Sequence, residues 1–212
     1  MKLETYLRMA GISYEISEFT QPNIAPKGKG PFITDENGKL GDSSIIIEYL
    51  AEKHGINMDA DLNDKEKSLA HSYKIMAEER LYWIIVYSRW TDDNNWPKLK
   101  RLFFNDIPWP INLIIPKMVR KSVIKDLNVI GISRHSKDEI YAFARRDIDA
   151  IAAQLGNNDY FLGDKPHIID ATILAIIANL LIEDFKSPLL EEVKRHDNLI
   201  AYHKRMMKRF YS

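Results

Sequence analysis

The chain has 212 residues, 45% of them hydrophobic, with 30 Lys and Arg against 30 Asp and Glu and no cysteine. That length suits one large domain or two small ones and buries roughly 70% of the unfolded surface, so a core forms without disulfides or a metal. Formal neutrality removes the general electrostatic case for nucleic acid or an anionic membrane as the main partner, and the lack of Cys excludes a disulfide framework, a thiolate zinc site and a thiol nucleophile.

Residues 2–10 place Leu3, Tyr6, Leu7 and Ala10 at helical spacing and stop at Gly11, which predicts a short amphipathic helix. The amino end carries no charged segment followed by an apolar one, so no secretory signal is expected and a cytoplasmic location is. Residues 13–19 alternate Tyr14, Ile16 and Phe19 with polar residues and predict a strand, and 21–29 reads as a loop. A hairpin follows over 31–40, signalled by Asn37-Gly38. Asp42-Ser43-Ser44 supplies N-cap chemistry for a helix over 45–54, which stops at Gly55. Residues 1–57 therefore form one unit, α-β-loop-β-β-α, joined by an acidic linker over 58–63 to an all-helical domain over 64–212.

In that second domain a helix of about 27 residues runs from Asp64 to Trp90 and breaks at 94–97. The stretch 103–116 holds three prolines among Trp109, Ile111, Leu113 and Ile114, so it cannot be one regular helix. With Lys117, Arg120, Lys121 and Lys125 behind it, it reads as a covered connection between helices or as a membrane-surface or partner-binding segment, the covered connection being preferred. Further helices are expected over 117–127, 136–155, 168–182 and 188–210, with Ser136 and Glu139 forming a capping box and Lys204, Arg205, Lys208 and Arg209 a solvated face. The apolar run 168–182 is too short to span a membrane and is interrupted by Asp170 and Asn179. His54, His71, His135, His167, His196 and His203 include no i,i+4 pair, so no metal site is expected.

Three stretches stand in the order of a known scaffold: Lys27-Gly28-Lys29-Gly30-Pro31-Phe32-Ile33, the segment from Gly41-Asp42-Ser43 to Leu50, and Phe161-Leu162-Gly163-Asp164-Lys165-Pro166 leading to Asp170-Ala171-Thr172. With Asp59–Leu62 and Leu81–Trp90 they resemble the cytosolic glutathione S-transferase family, and more closely its failed axon connections branch, related to metaxins. The resemblance implies an α/β thioredoxin-like N-terminal domain followed by an all-α C-terminal helical bundle. It further implies glutathione as co-substrate, a small-molecule electrophile and a homodimer. In that family the proline is cis and the residue before it, here Gly30, pairs its backbone with the ligand. Asp42 and Ser43 would hold the γ-glutamyl end, for which a helix N-terminus is suited by its unpaired N–H groups. Arg80, Trp83 and Tyr87 lie on the long helix that walls the acceptor pocket in the family; interdomain packing is the other reading. Asp170 is expected to cap the loop before the core helix, although His167 stands where the family has Ser or Thr.

The family begins with a strand and a loop that carries the catalytic hydroxyl or thiol, whereas residues 2–7 here already match its first helix. The first strand has no counterpart, and Tyr6, Ser13 and Tyr14 do not match the catalytic position. A start codon taken too late, a shortened chain and a lineage without catalysis all fit. The alternative to a transferase is a non-catalytic, metaxin-like interaction module.

Overall fold

The structure, a computed structural model, describes residues 1–17 and 24–212. Helix α1 (Lys2–Ala10) begins at Met1 with no side-chain cap and ends where Gly11 turns left-handed at φ 67°. That conformation suits glycine and lets Gly11 and Ile12 return their N–H groups to Arg8 and Leu7. Strands β1 (Phe32–Asp35) and β2 (Gly38–Gly41) pair antiparallel, with Phe32 opposite Gly41 and Asp35 opposite Gly38. The turn centres on Glu36 and Asn37, one residue before the Asn-Gly pair. Asn37 N–H donates to Asp35 Oδ1 at 2.9 Å, and Gly38 rather than Asn37 takes the positive φ. Helix α2 (Ser43–His54) follows directly and stops at Gly55.

Leu3, Tyr6 and Leu7 of α1 pack against Ile46, Ile47 and Leu50 of α2. Ala171 joins that cluster from α8 (Ile168–Leu180), so the core helix of the second domain also walls the first. The strand expected over 13–19 does not form in residues 13–17; Glu18 and Phe19 lie outside the described residues. A strand needs a hydrogen-bonding neighbour. Here Tyr14 instead donates its hydroxyl to Glu4 at 3.1 Å, and Ile16 faces solvent.

The long helix is continuous from Asp64 to Thr91 but not uniform: α3 (Asp64–Ile75) passes through a π turn (Met76–Leu81) into α4 (Tyr82–Thr91). Asn63 and Glu66 cap its start reciprocally. The break at 94–97 proves short, because Pro97 sits in the first turn of α5 (Trp96–Phe104), where its missing N–H has no helical partner to lose. Helix α6 (Ile115–Ile130) precedes α7 (Lys137–Leu155), opened by the Ser136–Glu139 box. The helix expected over 188–210 is two, α9 (Pro188–Lys194) and α10 (Asp197–Phe210). The chain bends at Arg195–His196, where His196 leaves helical geometry and its ring meets Asp149 at 2.8 Å. The basic face of α10 is only partly solvated: Arg205 donates to the carbonyls of Asn158 and Asp159, and Arg209 binds the Tyr160 hydroxyl.

The core of this domain gathers Leu81, Ile84 and Ile85 with α7, α8 and α10 side chains such as Ile148, Ile173 and Tyr202. The connection between α5 and α6 is not covered. Leu102, Phe103, Trp109, Ile111, Leu113, Ile114 and Met118 are all exposed. The prolines that stop a continuous helix here also keep the segment from laying one apolar face onto the bundle.

Candidate functional site

The proline turn and the amino end of α2 are fastened together. Asp42 N–H donates to the Pro31 carbonyl at 3.3 Å, and the Gly30–Pro31 peptide is cis. Phe32 pairs with Gly41, so the hairpin register alone brings residue 31 beside residue 42. Asp42 has φ 86°, the one non-glycine residue with positive φ among the described residues. That backbone aims its carboxylate along the helix: Oδ1 accepts from Ser44 N–H at 2.9 Å and Ile45 N–H at 3.3 Å. Burial works to raise this carboxyl, but the Ile45 and Ser44 N–H groups and the charges of Lys27 and Lys2 outweigh it, and its pKa lies below the ordinary value.

Ser43, the first helical residue, receives neither of those caps and lines an open cleft of about 1670 Å³ together with Gly30, Pro31, Lys2, Tyr14 and Lys53. Lys2 sits at the same helix end. Its ammonium donates to Ser44 Oγ at 3.0 Å and pairs with Glu78 at 2.5 Å, while burial, partly offset by Glu78, lowers its pKa. Nothing local to residues 1–10 announces Lys2, because its partners Ser44 and Glu78 are distant in the chain. A helix N-terminus with a neighbouring ammonium attracts a carboxylate or another small anion.

Of the other residues singled out in the sequence, Arg80 binds the buried Asp147 of α7 through two nitrogens, and Tyr87 meets Tyr141 of α7 edge-on at 6.4 Å. Trp83 is half-buried with its ring against Tyr82 at 5.3 Å. None of the three lines the cleft, which the long helix approaches instead through Glu78. The π turn adds a residue to one turn, so positions on either side of it do not share the face that 3.6-residue spacing predicts. Asp170 is fully buried: Oδ1 accepts from Phe161 N–H at 2.9 Å and the Tyr202 hydroxyl at 2.7 Å, and Oδ2 from His167 N–H at 2.9 Å. The His167 carbonyl accepts the Asp170 N–H at 2.9 Å in return, while the ring Nδ1 is buried without a partner. Tyr6 is likewise buried, its hydroxyl unpaired inside the α1–α2 core, whereas Ser13 and Tyr14 border the cleft.

Comparison with known proteins places these features in context. Residues 1–95 match the glutathione S-transferase N-terminal domain family and residues 144–206 the glutathione S-transferase C-terminal domain family. An isoprene-epoxide glutathione S-transferase of Rhodococcus sp. (strain AD45) is 32% identical over 99% of this chain and 90% of its own length. The Failed axon connections protein of Drosophila melanogaster is 28% identical over 97% of this chain, and human metaxin-1 25% identical over 93%. The chain spans about half the length of these last two, 52% and 44%. Among solved structures, a glutathione S-transferase of Methylobacterium radiotolerans JCM 2831 in complex with glutathione sulfonate superposes with a TM-score of 0.63 at 18% identity. That superposition covers 98% of this chain and 84% of the other.

Proposed function

The chain belongs to the glutathione S-transferase superfamily, and from that premise we propose that it binds glutathione at the amino end of α2, beside Pro31, and presents the thiol to a small electrophile. The observation that carries this reading is the hydrogen bond from Asp42 N–H to the Pro31 carbonyl, which holds a strand-like backbone edge and a helix N-terminus at one end of the cleft. Gly30, held by the cis bond to Pro31, would pair its backbone N–H and C=O with the cysteinyl backbone as an added strand does. The Ser43 hydroxyl and N–H would take the γ-glutamyl carboxylate, with Lys2 adding positive charge, and Asp42 would face the ligand's ammonium through its second oxygen. The acceptor would lie in the cleft in front of Ser43. The relative from Rhodococcus makes a small epoxide the first acceptor to try: the thiolate attacks a ring carbon and the ring oxygen takes up a proton. A homodimer in the cytoplasm completes the proposal, suggested by the family's habit of pairing and by the cysteine-free composition.

One observation favours a second reading, a non-catalytic interaction module. Each pH unit by which a thiol pKa falls toward neutrality yields roughly ten times more thiolate. Tyr6 keeps its hydroxyl inside the core, and Tyr14, at the cleft, donates its own to Glu4. Calorimetric titration with glutathione, followed by an epoxide-conjugation assay, separates the outcomes. Saturable binding that Ser43→Ala weakens about tenfold, the loss of one charge-assisted bond, together with turnover supports the transferase. Binding without turnover supports the module, and no binding removes the glutathione proposal.

A further inference from the structure

The chain is neutral overall, but its charge is unevenly spread. Residues 96–130 carry seven Lys and Arg against two Asp, a net charge of +5, which leaves −5 for the rest of the chain. The same segment holds most of the exposed large apolar side chains among the described residues. Trp109 is 78% exposed, Leu102 68% and Phe103 63%, with Ile111, Leu113, Ile114 and Met118 beyond them.

This surface is anchored from behind. Trp90 at the end of α4 packs against Trp96, Phe103 and Phe104 of α5, with ring centroids 5.7, 6.4 and 6.5 Å away. Arg120 of α6 stacks on Trp96 at 4.9 Å and donates to the carbonyls of Trp90 and Thr91 and to Asp93. The bundle thus fixes α5 and α6 while their outer side chains point away from it. From Ile114, just before α6, Met118, Lys121 and Lys125 follow at steps of four, three and four, and Lys117 is four before Lys121, so one face runs from apolar to cationic. Lys117, Lys121 and Lys125 are exposed and form no ion pair among the described residues.

We propose that this surface docks the protein on a bilayer containing anionic lipid, with Trp109, Phe103, Leu102 and Ile114 at the headgroup–acyl boundary and Lys117, Lys121 and Lys125 among the headgroups. Aromatic and aliphatic side chains beside snorkelling lysines match a membrane interface. A protein partner fits less well, because protein interfaces are depleted of Lys. A second copy seated on the same surface fits worst: a two-fold contact sets each residue patch against itself, here +5 against +5. No helix among the described residues is long and apolar enough to cross a membrane, so the docking is peripheral. It is independent of the glutathione proposal, whose residues lie outside this segment.

The test is cosedimentation of the full chain with phosphatidylcholine vesicles, with or without phosphatidylserine at about a third of the lipid, at low and high salt. The expected result is about tenfold more bound chain on the anionic vesicles, reversed by salt. Trp109→Ser and, separately, Lys117→Glu with Lys121→Glu should each reduce binding about tenfold. All three positions are exposed, so an unchanged melting curve identifies a folded variant. Absence of binding, equal binding to neutral vesicles, or full binding by either folded variant overturns the proposal. So does a dimer in light scattering that Trp109→Ser dissociates, which assigns the surface to a second copy.

Discussion

At the scale of single residues, Asp170 and Asp42 show one chemical group put to two uses. Each is a carboxylate accepting backbone N–H groups at a helix start, but Asp170 is sealed in the core while Asp42 is only partly buried. Burial pushes the Asp170 carboxyl up, against the pull of the His167 and Phe161 N–H groups and the Tyr202 hydroxyl, and the net shift is upward. Its role follows from what it would leave behind. Asp170→Ala strands two buried N–H groups and a buried hydroxyl, each costing about 1–3 kcal/mol when unsatisfied. A loss of about 3 kcal/mol or more is expected in urea unfolding. A loss below about 1 kcal/mol would mean that the loop over 161–167 finds other acceptors.

At the scale of elements, the π turn joins the long helix to α7 by an uneven pair. Asp147 is 1% exposed and its partner Arg80 half exposed, so the carboxylate depends on the guanidinium, which is held above its ordinary pKa chiefly by the Asp147 hydrogen bond. Arg80→Met should cost about 3 kcal/mol by leaving a buried charge unpaired, and adding Asp147→Leu should restore most of that loss. Equal stability of the single variant and the parent in thermal melts would remove the pair from the account. This element also shows what a sequence can and cannot disclose. The helix itself was legible because Leu69, Tyr73, Met76, Arg80, Trp83 and Tyr87 step at three or four, and the helix ends at Gly11, Gly55 and Ser136 were legible because caps are local chemistry. The face presented by Arg80 was not, because a π turn changes the register without leaving a mark in the residue pattern. The split between α9 and α10 escaped for a related reason: the chain leaves helical geometry at His196, whose ring contacts Asp149, a residue of another helix. At the candidate site, Pro31, Asp42 and Ser43 could be read from hairpin and cap signals, whereas Lys2 and Glu78 join it only through tertiary packing.

At the scale of the whole molecule, the two domains are held together by the short acidic stretch between them. Asp59 Oδ1 accepts the Ile168 N–H at 3.0 Å, and Asp61 pairs with Lys165 at 2.9 Å and His167 at 3.4 Å, so the linker grips the loop that opens α8. The Lys165 ammonium, with a smaller contribution from His167, holds the Asp61 carboxyl at about 2. The Tyr49 hydroxyl and Lys53 do the same for Asp35 at the hairpin turn. Both carboxyls are lower in the folded chain than the ordinary value of 3.8, so the folded state binds their protons less readily than the unfolded state. Their contribution is therefore complete above about pH 4 and is lost as the pH falls toward about 2. Asp170, raised rather than lowered, takes up its proton more readily in the folded state and opposes this loss. Thermal melts from neutrality downward should show a fall in Tm concentrated between about pH 4 and pH 2. Asp61→Asn combined with Asp35→Asn should lower the Tm at neutral pH and flatten that fall, because the double variant has no carboxylate left to protonate at either position. A double variant whose Tm falls in parallel with the parent's would place the acid-sensitive contacts elsewhere.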